Sequence, residues 1–301
     1  MSNPLLSSEE KAPTIESKRT FNLIYVYYSY LIGNTEAAYK YTKRLTEFVY
    51  PSDDLKGEIK YISSIRNLLS TQYTLRKFAD MEVSLKKLHE VIPRSEHSTI
   101  ILDYCLGLEI ALYIDTGRIQ KAIAVLPRAE LAIKNNDRNL KRSEYLLLQF
   151  NIAIVYFTAQ EYNKCLFWIN NILNEKNYQR KDIIACVKIM NLLVHYELGN
   201  AELLEYLLRG YAKEIKDNSF FIERTFVEFA KNTFGKVVSK KEILPALSQL
   251  KEKILGMISS ESEKKLLDAF DITVWIDSKI SNKKMEAILQ QRYQNTAAAK
   301  N

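Results

Sequence analysis

Apolar residues recur along most of the chain at three- and four-residue intervals, the spacing that gathers them on one face of an α-helix. In residues 112–131, Tyr113 closes one apolar run and Gly117 follows as a turn. Ile119, Ala122, Ile123, Leu126 and Ala129 then form the face of the next helix. The small Ala122 and Ala129 allow the two helices of a hairpin to approach closely. Residues 151–172 repeat the arrangement, with Ala153 and Tyr156 before a turn and Tyr162, Cys165, Leu166, Ile169 and Ile172 after it. A further copy places Leu192, Leu193 and Tyr196 ahead of Leu198-Gly199-Asn200, with residues 202–211 as its second helix. Upstream, Leu68 and Leu69 precede Phe78, Met81, Leu85 and Leu88, and Pro93 ends that hairpin. The first unit runs through residues 21–31, the Gly33-Asn34 turn, then Ala38, Tyr41, Leu45 and Phe48, ended by Pro51. Residues 220–234, 243–258 and 263–293 continue as amphipathic helix with the repeat signature fading.

One stretch pulls the other way, because residues 23–32, LIYVYYSYLI, are rich in strand-favouring aromatics and partly alternate. A lone strand would leave its edges unpaired, so helix is predicted there too. Only 8 Gly and 6 Pro occur in 301 residues, too few for the turns of an all-β protein.

A tyrosine late in the first helix, a glycine or substitute in the turn, an aromatic or aliphatic residue two positions on and then a small residue resemble the tetratricopeptide repeat. The likeness is carried best by residues 105–135 and 147–177, in units of 40 to 43 residues where that repeat usually has 34. The longer unit implies helices of about 15 to 20 residues, or roughly 22 to 30 Å. Residues 195–215 and 270–280, FDITVWIDSKI, also resemble a group of bacterial helical-repeat proteins. These resemblances imply an all-α fold, a right-handed α-α superhelix of about 12–13 antiparallel helices. The expected organisation is a mobile segment at 1–17, repeats over 18–217, continuing or capping helices over 218–295, and a mobile tail at 296–301.

Composition narrows the function. The 47% hydrophobic content is enough for a continuous core, and the polar start followed by a tyrosine-rich run argues against a signal or membrane span. Cys105, Cys165 and Cys186 are odd in number, far apart and set in apolar runs, as small core residues of a reducing cytoplasm would be. The net charge of +7, from 43 basic and 36 acidic residues, is spread along the chain and disfavours a nucleic-acid surface. Its densest group, Lys134, Arg138, Lys141 and Arg142 against Asp137, reads as a solvated helix connection.

No phosphate loop, HExxH or CxxC pair, or GxSxG elbow occurs, so neither a catalytic site nor a cofactor is implied. His89 and His97 flank a helix connection, and neither they nor His195 have metal-ligand spacing on one helical face. Asp103 and Glu109 interrupt an apolar helix but stand about 240° apart around it, facing different directions. Surface or ion-paired structural roles are expected for both.

The expected function is therefore a non-catalytic scaffold or adaptor that binds a protein or peptide, with self-association allowed and no membrane. In a tetratricopeptide array the first helices of successive units line the concave face. Projecting that register gives Tyr27, Tyr30, Arg66, Tyr73, Tyr104, Phe150, Phe157 and Glu197 as the partner-binding residues. The alternative is the ligand-sensing portion of a bacterial regulator, although residues before 21 are too few for a helix-turn-helix.

Overall fold

A computed structural model of the chain describes residues 7–48, 55–136, 142–175, 180–215, 219–234, 240–258 and 260–298. Among them are fifteen α-helices, one 3-10 turn (Glu9–Lys11) and no strand. The helices are α1 (Ile15–Leu31), α2 (Thr35–Thr46), α3 (Leu55–Thr74), α4 (Phe78–His89), α5 (Glu96–Asp115), α6 (Ile119–Asn136), α7 (Arg142–Thr158) and α8 (Tyr162–Asn174). There follow α9 (Lys181–Glu197), α10 (Ala201–Glu214), α11 (Phe221–Thr233), α12 (Lys240–Gly256), α13 (Glu261–Ala269), α14 (Ile272–Ser281) and α15 (Met285–Ala298). The all-α expectation holds. The count exceeds 12–13 because residues 263–293 form parts of three helices. Asp271 caps α14 by accepting from Thr273 N at 3.0 Å, and Asn282 ends it in the left-handed region at φ 53°.

The aromatic run at 23–32 is helical because a capping box of Thr14 and Ser17 starts α1 and its Phe21, Val26 and Ser29 face the core. The segment expected to be mobile to residue 17 is tied down earlier. Glu9 accepts from Arg44 Nη2 at 2.6 Å and from Asn22 Nδ2 at 2.8 Å, and Ala12 is buried. The tail expected from 296 is helical to Ala298. Pro51, Asp137, Arg138 and Lys141 lie outside the described residues.

The repeat is written in the backbone of the turns. Gly33, Arg76, Gly117, Gln160 and Gly199 all have φ between 53° and 70°, at intervals of 43, 41, 43 and 39 residues. At each, the turn residue's N–H donates to the carbonyl three residues back, and the next N–H donates to the carbonyl five residues before itself. Gly117 N to Ile114 O (2.9 Å) and Arg118 N to Tyr113 O (2.8 Å) show the pattern. This is the Schellman arrangement, which satisfies the last carbonyls of the first helix and starts the second. Of the described hairpins, the first helices have 17 to 20 residues, whereas α2, α4, α8 and α10 have only 12 to 14.

The chain divides into two compact units, residues 1–112 with 128–140 and residues 113–127 with 141–301. The division cuts α6 after Pro127, whose ring removes one backbone donor from the helix. In the first unit α1 packs on α2, α2 on α3 and α3 on α4, around Val26, Ala38, Leu45, Ile62, Leu69 and Met81. In the second, neighbours pack in order from α7 to α12, but α13 returns to lie on α9, and α12 meets α14. Helix α11 touches both α10 and α9, so packing runs on from the repeats into the C-terminal helices.

Two buried carboxylates tie elements distant in sequence. Glu58 of α3 accepts from Arg94 N at 3.1 Å, just ahead of α5. Glu263 of α13 accepts from Phe221 N at 2.7 Å and Ile222 N at 3.0 Å at the start of α11. Carboxylates here satisfy orphan helix donors and complement the positive helix end. The Ser98 hydroxyl and the Arg94 backbone N–H hold the Glu58 carboxyl below its ordinary value of 4.5, against the opposing effect of burial.

Two predictions follow from this framework. A Cβ at Gly117 would sit 2.5 Å from Gln290 N of α15, and the backbone is already left-handed there. Gly117→Ala should therefore lower the melting temperature more than Gly33→Ala, which meets nothing within 4 Å and costs about 1 kcal/mol through φ alone. Equal losses would exclude the α15 contact. For Glu58, a depressed folded pKa means its stabilisation is present above the unfolded value and is lost as pH falls through the folded one. Glu58→Gln should thus be less stable than the native protein at pH 7, the gap closing in acid below pH 4.5, as read by melting curves across pH.

Candidate protein-docking surface

Counting back from each turn residue, positions 3, 6, 10 and 13 before it fall on one face of the first helix, one helical turn after another. On α1 these are Tyr30, Tyr27, Leu23 and Thr20; on α3 they are Tyr73, Ser70, Arg66 and Ser63; on α5, within the first unit, Ala111, Gly107 and Tyr104. All of these are exposed or half-buried. On α7 the same positions are Phe157, Ile154, Phe150 and Leu147, and on α9 they are Tyr196, Leu193, Ile189 and Cys186. Six of these eight are buried, leaving only Leu147 and Tyr196 half-buried.

The cover in the second unit is the chain's own C-terminal region. The Phe270 ring meets Phe157 edge-on at 5.6 Å, and the Cys186 thiol donates to Leu266 O at 3.5 Å. Trp275 of α14 lies 6.0 Å from Tyr196, which stacks on Phe234 at 4.0 Å. Around this apolar filling runs a polar lock. Glu197 accepts from Trp275 Nε1 and Lys279 Nζ, each at 2.6 Å. Arg292 joins Asp271 and Asp277, and Lys251 also reaches Asp277 at 2.6 Å. Burial opposes ionisation of Asp277, yet Lys251 and Arg292 together hold its carboxyl below the usual range.

Among the described residues no such filling covers the face in the first unit. Tyr30 hydrogen-bonds Ser70 across α1 and α3, and burial raises its phenol pKa against the effects of Ser70 and Arg66. The Arg66 guanidinium lies 5.1 Å over the Tyr104 ring, carrying the row from α3 to α5. Stacking and hydrogen-bonding groups therefore alternate along three helices, a lining suited to an amphipathic segment.

The sequence-derived positions accordingly separate. Tyr30, Arg66 and Tyr104 come together, Tyr27 stands beside them with 59% exposure, and Tyr73 sits at the end of α3 with its ring 6.1 Å from Phe78. Phe150 and Phe157 are corrected to core residues, each only 1% exposed, and for Phe157 the Phe270 ring at the end of α13 occupies the space that a partner would need. Glu197 is likewise corrected, since its carboxylate is engaged by Trp275 and Lys279. Ser70 was missed in the projection, although it stands one turn from Arg66 on the same face.

The ionisable groups follow local packing. His89 Nε2 is 3.0 Å from Oε2 of the buried Glu109, a contact between α4 and α5, while Asp103 is half-buried. His97 is exposed. His195 is buried with its Nδ1 3.1 Å from Asn200 Nδ2, and burial lowers its pKa. Burial also pushes the Cys165 and Cys186 thiols upward, so both stay protonated. Among the described residues no group of three His, Cys, Asp or Glu could hold a metal ion. One described helix, α5, is long and apolar enough to cross a membrane by length and composition alone. It carries the buried Glu109.

Comparison with protein-family models, with curated proteins and with solved structures finds no match to this chain.

Because the covered face is core, Phe157→Ala and Trp275→Ala should each destabilise the protein by about 3–5 kcal/mol. Tyr27→Ala, on the uncovered face, should change stability by about 0.5 kcal/mol or less. Denaturant titrations followed by helical circular dichroism measure both; similar losses at all three positions would contradict the division into covered and open faces.

Proposed function

We propose that the protein is a tetratricopeptide-like adaptor of the bacterial helical-repeat type, working in a reducing cytoplasm and binding a protein or peptide segment. The surface that does so is the first-helix face of α1, α3 and α5. A single contrast supports this reading: most of the equivalent positions on α7 and α9 are buried, with Phe270 against Phe157 and Trp275 near Tyr196, whereas Tyr30, Ser70, Arg66 and Tyr104 remain at least partly accessible. What fills the face in the second unit is helical and presents Leu266, Phe270 and Trp275. A helical segment with aliphatic or aromatic anchors is thus the kind of partner the open face suits.

The combined Tyr30→Ala, Arg66→Ala and Tyr104→Ala variant should lose the proteins retained by the native chain from its own lysate at about 300 mM salt, where apolar contacts persist. Its helicity should be unchanged. Capture of the same proteins by both would remove the face from consideration. Capture of nucleic acid that disappears between about 50 and 300 mM salt would point to phosphate binding instead.

A further inference from the structure

Helix α1 is apolar on two opposite sides. Phe21, Asn22, Val26 and Ser29 turn inward and are buried. Half a helical turn away, Thr20, Ile24, Tyr27, Tyr28 and Leu31 form a continuous stripe, extended by Ile32, in which Leu31 is 86% and Ile32 56% exposed. From Thr20 to Ile32 there is no charged residue. A helix that is apolar all round is normally buried all round. An array end normally presents a polar outer face. Helix α1 breaks that rule.

We infer that this stripe is the contact between two copies of the chain, with α1 packed against α1 of the second copy about a two-fold axis. Three observations favour a second copy as occupant. The stripe holds no charge, so pairing it with itself brings no like charges together. Ile24, Tyr27, Tyr28, Leu31 and Ile32 are between 36% and 86% exposed, and complete pairing of two copies would bury at most about 1,200 Å2 in total, the lower end of the range for stable interfaces. The described segment ahead of α1 lies on its other side: Glu9 is held by Asn22 and Arg44, away from the stripe. Tyrosines suit such a contact because they bury large area with few rotamers to lose and keep a hydroxyl for the rim.

The test is light scattering on the full chain as it elutes from size exclusion, over a concentration series. The native protein should run at twice its chain mass of 35.0 kDa and remain so as salt is raised to about 1 M, because no charge holds the contact. Ile24→Glu with Leu31→Glu places like charges on both copies and should give the single-chain mass with unchanged helicity and melting. The milder Leu31→Ala should weaken association about tenfold without touching the fold. These changes leave Tyr30, Arg66 and Tyr104 intact, so partner capture by the monomeric variant would separate this contact from the adaptor surface. A native protein that is monomeric at about 100 µM would overturn the inference, as would a double-charged variant that stays dimeric. So would a monomeric native protein that floats with phosphatidylcholine vesicles, which would assign the stripe to lipid.

Discussion

Burial of the first-helix face of α7 and α9 under α13 and α14 is the interaction on which the second unit depends. An α-helix with apolar residues over more than one side cannot be left half-covered in water. Each exposed side chain of this size forgoes roughly 1.5–3 kcal/mol. Phe157, Cys186 and Tyr196 are met in turn by Phe270, Leu266 and Trp275. The Glu197 carboxylate then orients the Trp275 indole. Truncating Trp275 would leave a cavity and remove the indole N–H from Glu197, which keeps its Lys279 partner.

The same geometry gives the first unit its distinct character. There the face is lined by tyrosine, serine and arginine rather than phenylalanine, isoleucine and leucine. Such side chains tolerate water, yet they retain enough apolar area to reward a partner that excludes it. A change of residue type along one register therefore marks where the first-helix face passes from buried to solvent-exposed. Helix α1 is the exception within that unit, for its outer stripe is as apolar as a core and carries no charge.

Some of this was legible in the residues. The hairpin spacing could be read from Gly33, Gly117 and Gly199, since only the left-handed backbone of a Schellman turn needs glycine there. The equivalent turns at Arg76 and Gln160 hide the same backbone behind side chains that adopt it at some cost, which is why the repeat looks approximate in those copies. The register of the inner face was legible as well, so Tyr30, Arg66 and Tyr104 were found. Phe150 and Phe157 were misassigned because periodicity identifies a face but not what lies across from it. The residues that cover them stand about a hundred positions away.

What the amino-acid order determined by itself was local: helix type, turn position, the small residues at hairpin contacts, and the absence of glycine-rich or metal-ligand spacing. These follow from backbone sterics and from three- to four-residue periodicity, which act within a single hairpin. Only the tertiary structure decided which faces are closed. Glu58 and Glu263 look like ordinary surface acids until each is found buried at the start of another helix. The Glu197 carboxylate is similarly ambiguous until Trp275 and Lys279 reach it. Burial depends on contacts between distant segments, and no local pattern encodes which segment will arrive.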